Sequence, residues 1–170
     1  MNFNKMVKDA KIDQPITLEI NSFMVKNKGS IMKISEFYQN FYNDLIEKWG
    51  IKCVETSFTY KEIDQNVKAM LWNWEGYLGI DTFSRVKFLL KVNAFRISKD
   101  TVMGIFSIKY VLEMDYKSIW RKSSFTNWYL PIYLRNYYNK KLLSWVERYM
   151  DDLNSIKEKL MERLNMSTYD

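Results

Sequence analysis

The sequence predicts an α+β fold: a curved antiparallel sheet of about five strands packed against a long C-terminal helix, with one helix after the first strand. Three periodicities carry that prediction. Apolar residues occupy every second position over 86–94 and 106–114, which is the period of a half-buried strand. Over 34–49 they recur at helical spacing. From Leu142 they follow steps of 4, 3, 4, 3 and 4 through Val146, Tyr149, Leu153 and Ile156 to Leu160, the stripe of a long amphipathic helix.

The elements follow in order. Ile16, Leu18 and Ile20 alternate with Thr17 and Glu19 directly after Pro15, which predicts a first strand over 16–24. Gly29 and Ser30 interrupt the chain. Ile34, Phe37, Tyr38, Phe41, Leu45 and Trp49 then place one apolar face on a helix over 35–49, with Ser35 as its N-cap and Gly50 at its C-terminal stop. β-Branched and aromatic residues rise over 53–60, and Met70, Trp72 and Trp74 share one parity, so two short strands are expected, joined through 61–66.

The next two strands form a hairpin. Val86, Phe88, Leu90, Val92 and Ala94 face inward against Arg85, Lys87, Lys91 and Asn93 outward. Phe106, Ile108, Tyr110, Leu112 and Met114 mirror them, with Ser107, Lys109, Glu113 and Asp115 outward. A turn centred on Asp100 pairs Arg85 with Asp115 and Lys87 with Glu113. Asp115 is expected to cap a short helix over 116–122. Asn127 is expected to cap the last helix, which begins near Trp128, holds Pro131 in its first turn and reaches Leu164.

Composition bounds the function. The 170 residues fit one domain, 1–170, with an ordered core over about 16–164, and two prolines and five glycines leave little for linkers. One cysteine, Cys53, makes no internal disulfide and points to a reducing compartment. No apolar run approaches the ~20 residues of a membrane span, and the opening residues lack the apolar segment of a secretion signal, so a cytoplasmic product is expected.

The chain has no histidine, which removes imidazole triads, the commonest general base and the commonest transition-metal ligand. The glycines form neither GxGxxG nor GxxxxGK, so no nucleotide cofactor is expected. Adjacent Asp151 and Asp152 diverge by about 100° around a helix. Glu113 and Asp115 share a strand face without a third acid beside them, and Cys53 has no base to activate it. These observations predict no metal site, no cofactor and no enzyme activity.

Charge is concentrated in one stretch. Residues 116–148 hold Lys117, Arg121, Lys122, Arg135, Lys140, Lys141 and Arg148 against a single acid, Glu147, a sum of +6 that equals the net charge of the whole chain. The same stretch carries nine rings: Tyr116, Trp120, Phe125, Trp128, Tyr129, Tyr133, Tyr137, Tyr138 and Trp145. As a nucleic-acid surface, the cations would take phosphates and the rings would stack on bases. As core, most of the rings would face the sheet while the cations point to water, and the ordinary preference of rings for burial favours this second reading.

The order strand, helix, antiparallel strands, long C-terminal helix is similar to the helix-grip layout of START-type lipid-binding domains, which implies a sheet wrapped on that helix and an apolar cavity between them. The chain also resembles a group of small uncharacterised archaeal α+β proteins. The pieces concerned are Phe37-Tyr38-Gln39-Asn40-Phe41-Tyr42, Leu71-Trp72-Asn73-Trp74, the long hairpin, and Asp115-Tyr116-Lys117-Ser118-Ile119-Trp120. They span roughly 16–164, and this resemblance implies no activity.

Two function classes follow. The first is a non-enzymatic binding or structural module whose basic surface over 117–148 contacts an anionic partner such as RNA, a ribonucleoprotein or an acidic protein. The alternative is a carrier of a small apolar molecule or lipid, with Trp72 and Trp74 lining a cavity between the sheet and the C-terminal helix. Against this stands the simpler role of the two rings as core. Cross-strand pairing is expected to neutralise most of the outer face that carries Arg85, Lys87 and Lys91. The stripe 142–160 is too short to favour self-association over docking on the chain's own sheet.

Overall fold

The alternating hairpin becomes the centre of a five-stranded sheet. In the computed structural model, residues 14–31, 34–63, 68–96 and 101–164 are described, together with Asp9. The elements are β1 (Ile16–Ile31), α1 (Ile34–Trp49), β2 (Lys52–Glu62), β3 (Lys68–Gly79), β4 (Ser84–Arg96) and β5 (Thr101–Met114). A helical segment follows, made of α2 (Ser124–Tyr133), a π-helical stretch (Leu134–Tyr138) and α3 (Asn139–Arg163). Every strand pairs antiparallel, in the open order β1-β5-β4-β3-β2. Because β2 to β5 form a meander and β1 pairs with β5, α1 must carry the chain from one edge of the sheet to the other.

Both helical elements lie on the same face. Trp72, Trp74, Val86, Phe88, Leu90, Val92, Phe106, Ile108 and Tyr110 point into it and are buried. Phe37 and Phe41 of α1 meet Phe106 and Trp74 at ring separations of 5.2 and 6.5 Å, and Tyr149 of α3 meets Tyr110 at 6.4 Å. Arg163 donates to Asp44 at 2.8 Å and ties the end of α3 to α1. The fold is thus two layers, with the opposite face of the sheet left to its ion pairs.

Several boundaries differ from the sequence prediction for physical reasons. β1 continues to Ile31 because the full length of β5 is available to pair with it, from Ile16 opposite Met114 to Ile31 opposite Thr101. Bulges between Glu19 and Asn21, Lys28 and Ser30, and Glu55 and Ser57 bend the two edge strands. Ser35 lies inside α1, which starts at Ile34, so it is not the cap. Gly50 does terminate that helix: at φ 65° its N–H donates to Ile46 O at 3.0 Å, the left-handed stop that favours glycine. The predicted turn residue Asp100 and much of the 61–66 connection lie outside the described residues.

The hairpin register is shifted by two from the prediction. Arg85 stands opposite Glu113, and Lys87 opposite Val111. Most of the outer charges are still neutralised: Arg85 binds Glu113 at 2.6 Å, Lys87 binds Glu75 of β3 at 2.6 Å, and Lys109 binds Glu19 of β1. Lys91 is exposed and makes no ion pair among the described residues.

Residues 116–122 form no helix, contrary to expectation. Asp115 instead organises a tight loop, with Asp115 at φ 48° and Ser118 at φ 53°. Its carboxylate accepts the N–H groups of Ile119 at 2.9 Å and Trp120 at 3.2 Å, and pairs with Arg121 at 3.1 Å. Arg121 also donates to Gln14 O, just before β1. Both side chains of the pair are 2% exposed. Glu113 and Asp115, expected to point to solvent, are therefore buried.

The last helix starts earlier than Trp128, at Ser124, which places Pro131 in its interior. Leu130, Leu134, Tyr138 and Leu142 are all buried at steps of four. A regular α-helix would rotate such a series by about 40° per step, and the wider turn of the π stretch takes up that drift.

The buried pair generates a stability prediction. Asp115→Ala leaves the Arg121 guanidinium buried without its carboxylate, and should cost about 3–5 kcal/mol in denaturant unfolding. Lys87→Ala, at a half-exposed pair, should cost no more than about 1 kcal/mol. Equal losses for the two variants would remove the special role of Asp115.

Candidate anion-binding surface

The basic aromatic stretch divides into core and surface once the helical segment docks. Its inward stripe buries Tyr138 and leaves Trp120, Tyr129, Tyr133 and Trp145 half-buried. Three rings remain outside: Phe125, Trp128 and Tyr137 are 70%, 66% and 68% exposed. Ile119 and Leu143 are exposed as well. Residues 124–129 carry no inward stripe of their own, which is why the first two of these rings find no cover.

The predicted cations do not all reach this surface. Arg121 is buried against Asp115 and Gln14 O, so it belongs to the loop's internal structure and is withdrawn from the anion-binding set. Lys141 is exposed but engaged: it pairs with Asp81 at 3.2 Å and stands 4.8 Å from the centre of the Trp145 ring. Lys117, Lys122, Arg135, Lys140 and Arg148 are exposed and make no ion pair among the described residues. Lys117 lies over the Tyr116 ring at 5.6 Å, and Arg135 reaches only the neutral side chain of Asn136.

Asp81 was not singled out from sequence, yet it braces this region. It follows β3 in the turn to β4, and its Oδ1 accepts the N–H groups of Phe83 and Ser84 at 2.9 and 2.7 Å. Its Oδ2 receives the Tyr138 hydroxyl and Lys141, both at 3.2 Å. Partial burial alone would raise this carboxyl, but the two backbone donors with Lys141 and Tyr138 hold it below its ordinary value. The available signal was an acid in a tight connection between strands, a common turn residue that gives no hint of its distant partners.

The other candidates resolve differently. Trp72 and Trp74 are 1% exposed, and rings of α1 lie against them. Tyr38 meets Trp74 edge-on at 4.6 Å and Trp72 at 6.1 Å, and Tyr42 meets Trp74 at 5.5 Å. Glu113 and Asp115 are committed to separate arginines and do not converge. Among the described residues no three acidic or thiol groups cluster to hold a metal, and no helix is long and apolar enough to cross a membrane. Cys53 is buried, and burial pushes its thiol up to about 12.

Comparison of the chain with protein-family models, with curated proteins and with solved structures finds no match.

Two predictions follow from these environments. A carboxyl with a lowered folded-state value contributes stability above its unfolded value and loses it as pH falls through the folded one. Wild type should therefore be more stable than Asp81→Asn at pH 7, and the difference should shrink steadily below about pH 4 in acid titrations of unfolding. Cys53 should resist iodoacetamide at pH 8 in the folded protein and react once urea unfolds it. Rapid alkylation of the native protein would contradict its burial.

Proposed function

We propose that this chain is a binding module, not an enzyme, that contacts the phosphate backbone of a nucleic acid through the exposed cations of the C-terminal helical segment and the loop before it. One observation carries this reading. Lys117, Lys122, Arg135, Lys140 and Arg148 are exposed without acidic partners among the described residues, in a stretch whose one acid is Glu147. The sheet cations Arg85, Lys87 and Lys109, by contrast, are neutralised in place. A surface that keeps its cations unpaired retains them for an outside anion, and phosphate contacts of that kind release counterions.

The alternative of an apolar carrier has less support. It would need room beside Trp72 and Trp74, where the rings of α1 already stand in contact.

Binding of a nucleic-acid oligomer should weaken as salt rises, with a log–log slope of about −2 to −4 if three to five phosphates are neutralised. Arg135→Glu with Lys140→Glu should reduce affinity at least tenfold and flatten that slope, whereas Lys87→Ala should leave both unchanged. Salt-independent binding, or full affinity in the double variant, would remove the basis of the proposal. Lys141 is a poor choice for charge reversal, because a glutamate there would face Asp81.

A further inference from the structure

Charge alone does not distinguish one polyanion from another, but the rings on this surface do. Trp120 stacks on Tyr133 at 4.7 Å and 28°, and Tyr133 stacks on Tyr137 at 6.3 Å and 22°. The three rings form a stepped column of offset contacts that runs from the half-buried loop to solvent. Its inner members are fixed. Phe83 meets Trp120 and Tyr133 edge-on at 5.9 and 6.0 Å, and Tyr138 lies 5.7 Å from Tyr133. Asp115 holds the Trp120 backbone N–H at 3.2 Å. The outer member, Tyr137, is 68% exposed. The column presents the flat ring of Tyr137 to whatever arrives next.

A cation lies next to that ring. Lys140 is three residues on, adjacent on the helix surface, and has no acidic partner among the described residues; Arg135, two residues before Tyr137, belongs to a different side of the helix. A second stack, exposed Phe125 on half-buried Tyr129 at 6.5 Å and 3°, lies earlier in the same segment, three residues after Lys122 in the sequence. Flat faces alternating with unpaired cations match the alternation of bases and phosphates in a single strand. Within a duplex each base is stacked above and below and cannot extend the column. A polyanion without bases has nothing to place on it.

We propose that this surface takes single-stranded nucleic acid, with an unpaired base stacked on Tyr137 as the next member of the Trp120–Tyr133–Tyr137 column and a flanking phosphate on Lys140. This rests on the phosphate-binding reading above, and goes beyond it by naming the class of nucleic acid and the residue that selects it.

The test is fluorescence anisotropy on the full chain with a labelled single-stranded oligonucleotide, the duplex of the same sequence, and inorganic polyphosphate as competitor. The single strand should bind at least about tenfold more tightly than the duplex. Tyr137→Ala should lose about tenfold for the single strand while duplex binding and polyphosphate competition stay unchanged, and Tyr137→Phe should bind as wild type does. An exposed ring is a safe site to alter, and an unchanged melting temperature for each variant confirms the fold. Phe125→Ala, at the second stack, repeats the experiment at an independent position and should also weaken single-strand binding alone. If duplex and single strand bind alike, or Tyr137→Ala keeps full single-strand affinity, the stacking proposal is overturned while the basic surface stands. If none of the three polyanions binds, both readings fall.

Discussion

The buried ion pair between Asp115 and Arg121 is the constraint on which the rest of the arrangement depends. At the end of β5 the chain must leave the sheet, turn back over it and start a helix, and two residues in left-handed conformation make that turn within a few positions. Such a loop exposes backbone donors that need acceptors, and the Asp115 carboxylate supplies them for Ile119 and Trp120. Arg121 neutralises the same carboxylate and reaches the carbonyl of Gln14, so the exit of the last strand, the entry of the first and the approach to the helix are joined at one point. The docking angle of the helical segment, and with it the ring column that begins at Trp120, follows from this junction.

Beyond the junction, the molecule treats charge differently on its two sides. On the open face of the sheet, strands about 4.8 Å apart bring oppositely charged side chains from neighbouring strands within reach, and the pairs form across the ladder. The Arg85 guanidinium is further enclosed between the rings of Tyr77 and Tyr116, at 3.9 and 4.9 Å. Along residues 116–148 such partners are scarce, because the outward positions there are basic, polar or aromatic and the one acid is Glu147. Lys141 is the exception, reached by Asp81 from the β3–β4 turn. The net positive charge of the chain thus stays concentrated where it can meet another molecule.

Element type and order were legible because the periods of helix and strand differ, and inward residues such as Val86, Phe88 and Leu90 follow directly from alternation. Register was not legible to the same degree. A slip of one residue would have reversed every side chain of the hairpin, but a slip of two preserves both faces, so the apolar pattern cannot distinguish Arg85 opposite Asp115 from Arg85 opposite Glu113. Arg121 was misplaced for a related reason. In sequence it is one more cation in a basic run, and only the non-helical loop brings its guanidinium onto Asp115.

The sequence by itself determined an α+β chain with a central amphipathic hairpin, an N-terminal aromatic helix, a long C-terminal helix and one stretch that carries the whole net charge, because local periodicity and composition depend on no distant contact. Tertiary structure alone decided which residues of that stretch face outward. Docking against the sheet buries Tyr138, half-buries Trp120 and Tyr133 as the inner rings of a column, and locks Arg121 inside; it leaves Phe125, Trp128 and Tyr137 in solvent among unpaired cations. The nine rings look alike in the sequence, and their division into core and surface depends on how the helical segment is tied to the sheet at Asp115.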